Sequence, residues 1–191
     1  MKKRTKLLVI LGVIALVVII LVSSISGTYN SLVTLETNLE SKQAAISTQL
    51  QRRSDLIPNL VSTVKGYAAH EEEVYTAIAD ARSKLAGADT VEEMSEADAS
   101  LSGALSRLLV VVENYPELKA NENFIALQDQ LEGTENRIAV ARNDYNNAAN
   151  EYNAKIRRFP TNIFAGMFGF EKADYFEAEE GAEKVPEVSF E

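Results

Sequence analysis

The feature that most constrains this chain lies at its start. Leu7 to Val22 is a run of sixteen residues holding only aliphatics, Gly12 and Ala15, and Ser23, Ser24, Ile25 and Ser26 prolong it without a charge. About twenty residues at ~1.5 Å rise each match the ~30 Å hydrocarbon core of a bilayer. Lys2, Lys3, Arg4 and Lys6 precede the run with no acid among them, and such a cluster stays on the cytoplasmic side. The expectation is a single span through the lipid bilayer of the cytoplasmic (inner) membrane over residues 7–26, N-terminus inside and residues 28–191 outside. The competing reading is a cleaved signal peptide, because Ser24 and Ser26 stand at −3/−1 spacing before Gly27. The apolar run is longer than a usual signal core and no A-x-A triplet follows it, which favours an uncleaved anchor.

Charge divides at the same place. Residues 1–26 carry +4, and the 15 basic against 28 acidic residues that remain leave −13, for a formal −9 overall. That balance argues against a nucleic-acid binder, which needs a basic face. It also disfavours an acidic partner and favours a basic or neutral one. There is no Cys and a single His, so disulfides, thiolate chemistry and multi-histidine metal sites are excluded.

From Tyr29 to about Phe159 the apolar residues recur at helical spacing. One seam reads Leu32, Leu35, Leu39, Ile46, Leu50, and it continues through Ile57, Leu60 and Val64 toward Tyr67, Val74, Ile78 and Leu85. Another reads Val91, Met94, Leu101, Leu105, Leu108, Val112, and a last one Leu127, Leu131, Thr134, Ile138, Ala141, Tyr145, Ala148, Tyr152, Ile156, Phe159. Spacings of three and four mark helices with a bundle-facing stripe. Asp55 as N-cap would put Pro58 in a first turn, where a missing N–H costs little. The seam stays in register across Pro58, so one long helix there is the alternative. Gly87-Ala88-Asp89-Thr90 reads as a turn with Glu93 completing a capping box. Asn114-Tyr115-Pro116-Glu117 reads as a second turn, with Pro116 at N1. The expected helices are 29–54, 56–86, 91–113 and 117–158, joined by short connections that make neighbours antiparallel. The expected fold is all-α: a transmembrane helix, then an antiparallel four-helix bundle with a long last helix. The expected segments are the basic tip and anchor at 1–27, the bundle at 28–159, and an apolar piece with an acidic tail at 160–191.

These residues resemble the LemA family of bacterial membrane-anchored proteins. Tyr29-Asn30-Ser31-Leu32-Val33 is similar to its opening motif, and Gln49 to Val61, with Arg52-Arg53-Ser54-Asp55 at its centre, to its most distinctive block. Val64 to Glu71, Glu113 to Ala120, and Thr134-Glu135 through Arg142, Tyr145-Asn146 and Tyr152-Asn153 continue the match in order. Phe159-Pro160, Gly169-Phe170 and Phe176 resemble its tail, while Gln43 stands where the family often has an aromatic residue. The resemblance implies a four-helix bundle behind an N-terminal span in a bacterial envelope. It implies no known enzymatic activity and no cofactor, and leaves the biochemical role open.

Individual side chains offer several candidates. His70 heads Glu71-Glu72-Glu73, but a zincin needs a second His where Val74 stands, and a di-iron bundle needs Glu-x-x-His on two helices, whereas position 67 is Tyr and there is no second His. Arg53 falls on the first seam and Glu71 further along it, while Glu135, Arg142 and Asn146 flank the last seam; Arg52 and Asp55 adjoin Arg53. Charges pointing into a bundle must be paired. One reading is an internal ionic network that fixes helix register; the other is a polar partner-binding groove. A general acid/base pair of Glu71 and Glu135, as in a carboxylate-dependent metal-binding hydrolase, is the disfavoured third. Pro160 to Phe170 carries Ile163, Phe164, Met167 and Phe168, and reads either as a cover for the bundle's open end or as a membrane or partner contact. In the tail, Val185, Val188 and Phe190 alternate in an extended pattern suited to docking on a sheet edge. The function expected is a non-enzymatic scaffold or adaptor for an unidentified membrane or envelope protein, with a self-assembling homo-oligomer as the alternative.

Overall fold

The computed structural model describes residues 2–177, with the side chains at 2–5, 7 and 9 outside the description. Its elements are α1 (Lys2–Lys65), α2 (Glu72–Ala86), α3 (Val91–Val112), α4 (Pro116–Lys119), α5 (Glu122–Arg157) and α6 (Thr161–Phe168). Among the described residues there is no strand. The chain divides into two compact units, Met1–Glu40 with Asn147–Ala173, and Ser41–Asn146 with Asp174–Glu191.

Helix α1 runs unbroken through Pro58, so the boundary expected between residues 54 and 56 is absent. A proline inside a helix removes one backbone bond and crowds the preceding turn, at about 3 kcal/mol. Burial of Ile57, Leu60 and Val64 on one stripe of the same helix offsets this, because each aliphatic side chain taken fully out of water contributes about 1.5–3 kcal/mol. The chain breaks instead after Lys65. There the Val64 carbonyl accepts from both the Tyr67 and Ala68 amides, at 3.0 and 2.9 Å. The Tyr75 hydroxyl holds the corner by donating to the Ala68 carbonyl at 2.6 Å, and the Lys65 ammonium sits 4.8 Å from the Tyr75 ring centroid.

The start of α3 follows the sequence pattern. The Thr90 hydroxyl accepts from the Glu93 amide, and the Glu93 carboxylate accepts from the amides of Thr90 and Asp89. Those backbone donors hold the Glu93 carboxyl below its usual value. Pro116 opens α4 at its N-terminus as expected, but α4 is one short turn. The long last helix starts at Glu122 rather than 117, because the Asn121 side-chain oxygen caps it, accepting from Asn123 and Phe124 at 2.9 and 3.2 Å.

In the first unit, Leu32 and Leu39 of α1, Ala148, Ala149, Tyr152 and Ile156 of α5 and Ala165 of α6 are buried. Asn153 exchanges two hydrogen bonds with the Ala173 backbone, both 2.9 Å. In the N-terminal part of α1 every large aliphatic from Leu11 to Val22, with Leu8 and Ile10, is exposed by 48–69%. Among the described residues α1 is the one helix long and apolar enough to cross a membrane.

The second unit is cored by Ile46, Leu50, Ile57, Leu60 and Val64 of α1, Ile78 and Leu85 of α2, Leu101, Leu105 and Leu108 of α3, Leu118 of α4 and Ile138 of α5. Polar ties join these helices. Lys42 pairs with Asp144 at 3.0 Å, Arg82 donates to the Ser54 hydroxyl at 3.3 Å, and Arg137 donates to the Gln49 side-chain oxygen at 3.1 Å. Removing the α3 cap by Thr90→Ala should lower stability by about 1 kcal/mol in urea unfolding, within the range for lost N-caps.

Candidate functional site

The seam of α1 places Arg53 between Leu50 and Ile57, and the seam of α3 places Asp98 between Met94 and Leu101. Both therefore point into the apolar interior of the second unit, where an isolated charge is costly. Arg53 is 6% exposed and Asp98 2%. One carboxylate oxygen of Asp98 accepts from Arg53 Nη1 at 2.6 Å, and the other accepts from Arg142 Nη2 of α5, also at 2.6 Å. Arg53 Nη1 also pairs with Glu135 of α5 at 2.7 Å, and its Nη2 donates to the Ser102 hydroxyl at 3.0 Å. Glu135 is half exposed, so this pair lies at the edge of the cluster.

Two guanidiniums face two carboxylates, and the cluster is neutral. Its hydrogen bonding is incomplete: the Nε atoms of Arg53 and Arg142 are buried and, among the described residues, have no partner. The Arg142 guanidinium instead lies 5.4 Å from the centroid of the Phe176 ring, a cation–π contact. Beside Arg53 and Glu135 opens a cavity of about 370 Å³ with walls of Leu60, Leu105, Leu109 and Leu131. Ser102, Ser106, Gln128 and Glu132 supply its other polar groups.

Asn146 is occupied differently. Its carboxamide accepts from the Phe176 amide at 2.9 Å and donates to the Phe176 carbonyl at 2.8 Å. Next to it the Tyr145 hydroxyl donates to the Asp174 carbonyl at 3.1 Å, and its ring meets Phe176 edge-on. Burial, with the Asp174 charge nearby, pushes the Tyr145 hydroxyl above its usual 10.0.

The residues singled out in the sequence thus have separate fates. Arg53, Glu135 and Arg142 meet in one cluster. Arg52 and Asp55 are exposed on α1, where Asp55 accepts from Gln51 at 2.7 Å. Glu71 is the N-cap residue of α2 and takes no part in the cluster, because the helix break after Lys65 ends the seam that pointed to it. The tail positions Val185, Val188 and Phe190 lie outside the described residues. Asp98 was the residue not anticipated. The α3 seam leaves a gap between Met94 and Leu101, and position 98 fills it at spacings of four and three, so an acid on an apolar stripe was the available signal.

Residues 42–190 match the LemA family. The magnetosome protein MamQ 2 of Paramagnetospirillum magneticum is 28% identical over 186 residues, covering 84% of this chain and 68% of that protein. The magnetosome protein MamQ of Magnetospirillum gryphiswaldense is 26% identical over 197 residues, covering 90% and 72%. Protein LemA of Metamycoplasma hominis is 28% identical over 159 residues, covering 81% and 71%.

Two outcomes follow from the geometry. Asp98→Ala leaves Arg142 without its ion pair and Arg53 with Glu135 alone, and should cost about 3 kcal/mol in urea unfolding, whereas Glu135→Gln, at a half-exposed pair, should cost under about 1 kcal/mol. Equal effects would remove Asp98 from the centre of the cluster. The second concerns Tyr145, whose folded state binds its proton more tightly than the unfolded chain does. Its contribution is therefore complete below pH 10.0 and fades as pH rises through the higher folded-state value. Tyr145→Phe should flatten the alkaline limb of stability against pH.

Proposed function

The chain belongs to the LemA family, and from that premise we propose that it is a membrane-anchored, non-enzymatic adaptor. In this reading residues 7–26 cross the cytoplasmic membrane with the N-terminus inside. The remainder stands outside as an antiparallel four-helix bundle of α1, α2, α3 and α5. The bundle binds a basic or neutral protein of the membrane or envelope.

The observation that carries the reading is the charge balance of the cluster. A general acid or base needs a carboxylate free to exchange protons with substrate. Here Asp98 is held by two arginines and Glu135 by one, at 2.6–2.7 Å. What is left open beside them is a leucine-walled cavity edged by Glu132 and Glu135, a shape suited to a partner's apolar side chain flanked by a basic one.

The test is photo-cross-linking in intact cells, with a photoreactive residue at Leu109 and, separately, at Gln128. The expected result is one recurring heterologous protein at both positions. Self-cross-links alone would replace the adaptor with a self-assembling homo-oligomer.

A further inference from the structure

Helix α6 buries one face and leaves large apolar side chains open on the other, beside the exposed Asn162. Thr161 and Ala165, one turn apart, are 8% and 3% exposed. Ile163 and Met167, also one turn apart, are 52% and 72% exposed, and Phe159, in the connection between α5 and α6, is 81% exposed. A helix on the surface of a water-soluble body carries polar residues outward; α6 contains no charged residue at all. Its ends are fixed. Gly169 adopts φ 79°, a left-handed conformation that suits glycine, and Phe170 donates back to the Ala165 carbonyl at 3.0 Å.

The position of this face indicates what covers it. The Tyr29 ring meets Phe168 and Phe170 edge-on, with centroids 5.1 and 5.8 Å apart. Tyr29 lies three residues after Ser26, about 4.5 Å along the helix from the end of the uncharged run. That is the depth at which tyrosines gather at a bilayer surface. The open apolar face of α6 therefore lies at the level where the unburied aliphatic surface of α1 ends. Arg157 and Arg158 before α6 are exposed, so cationic groups flank the apolar face at its N-terminal end.

We propose that α6 lies in the interface of the same bilayer that α1 crosses. Phe159, Ile163 and Met167 enter the boundary between headgroups and acyl chains, and Arg157 and Arg158 face the lipid phosphates. The first unit then has two lipid contacts, a span and an interfacial helix, where the proposed anchor alone supplies one. The inference rests on the anchor reading, and the test separates the two.

The chain contains no Trp, so one introduced indole reports without background. The full-length variants Met167→Trp, Ile163→Trp and Val17→Trp would be reconstituted in vesicles of phosphatidylcholine and phosphatidylglycerol. Some vesicles would carry lipids brominated near the headgroup end of the acyl chains, others lipids brominated near the bilayer centre. The expected result is blue-shifted emission at 163 and 167, lost chiefly with shallow bromines, and loss at 17 chiefly with deep ones. Quenching at 17 with water-like, unquenched emission at 163 and 167 would overturn the interfacial helix and leave the anchor standing. No quenching at any position would overturn both. Quenching at 163 and 167 without quenching at 17 would keep α6 on the membrane and remove the span.

Discussion

Among the described residues Asp98 is the one acid whose two oxygens each hold a different arginine, and it ties together three helices of the second unit. Taking such charges out of water is expensive, and ionic pairing in the interior does not in general exceed what apolar packing of the same volume would contribute. What pairing does add is register. Leucines along α1, α3 and α5 could be exchanged between neighbouring turns with modest loss. A slip of any one helix by a turn, however, would separate Arg53 or Arg142 from Asp98 and leave a bare charge among leucines. A buried polar group at a heptad position is a known device for selecting one alignment among several. The unpartnered Nε atoms of both arginines fit that view, since a cluster refined for stability alone would satisfy them.

Most of the helical pattern was legible because apolar spacing of three and four is a local signal that tertiary packing reinforces. The capping box at Thr90 and Glu93 was legible for the same reason: both partners lie within one turn. Two features were not. Pro58 looked like a boundary because its local cost is fixed and visible in sequence, while the burial that offsets it comes from residues far along the chain. The true break after Lys65 has a weak local signature, Gly66 alone, and is held by Tyr75 seven residues beyond Ala68. At the site, Arg53 and Arg142 were legible as charges on or beside an apolar stripe. Asp98 sat in a gap of the α3 stripe, which reads as a missing apolar residue until the gap itself is treated as a core position. Glu71 was drawn in by extending a periodicity across a break the sequence scarcely marks.

Asn153 in the first unit and Asn146 in the second show how an extended segment can be held without a sheet. An extended chain presents amide and carbonyl groups that must find partners where they are covered. A carboxamide carries one acceptor and two donors in a plane, so a single Asn can satisfy both groups of one residue, as Asn153 does for Ala173 and Asn146 for Phe176. Neither a leucine nor a carboxylate could do this, since the first has no polar group and the second no donor. Asn is thus a better sign of a bound extended segment than hydrophobicity would be, and in sequence it appears only as a polar residue beside a seam.

Neutrality of the buried cluster has a consequence for the surface. Over residues 27–177, 14 basic against 23 acidic residues leave −9, and Arg53, Asp98, Glu135 and Arg142 add nothing to it, so that excess resides on groups outside the buried cluster. Its long-range field is screened over about 8 Å at physiological ionic strength. It therefore biases which molecules approach and how fast, more than it fixes how tightly they stay. Tight binding would have to come from desolvated contacts, and the cavity beside Arg53 offers these from four leucines with two glutamates at its edge. For the proposed adaptor, charge and shape would therefore act at different stages of one encounter: the acidic surface would disfavour acidic partners at a distance, and the leucine walls would select among those that arrive.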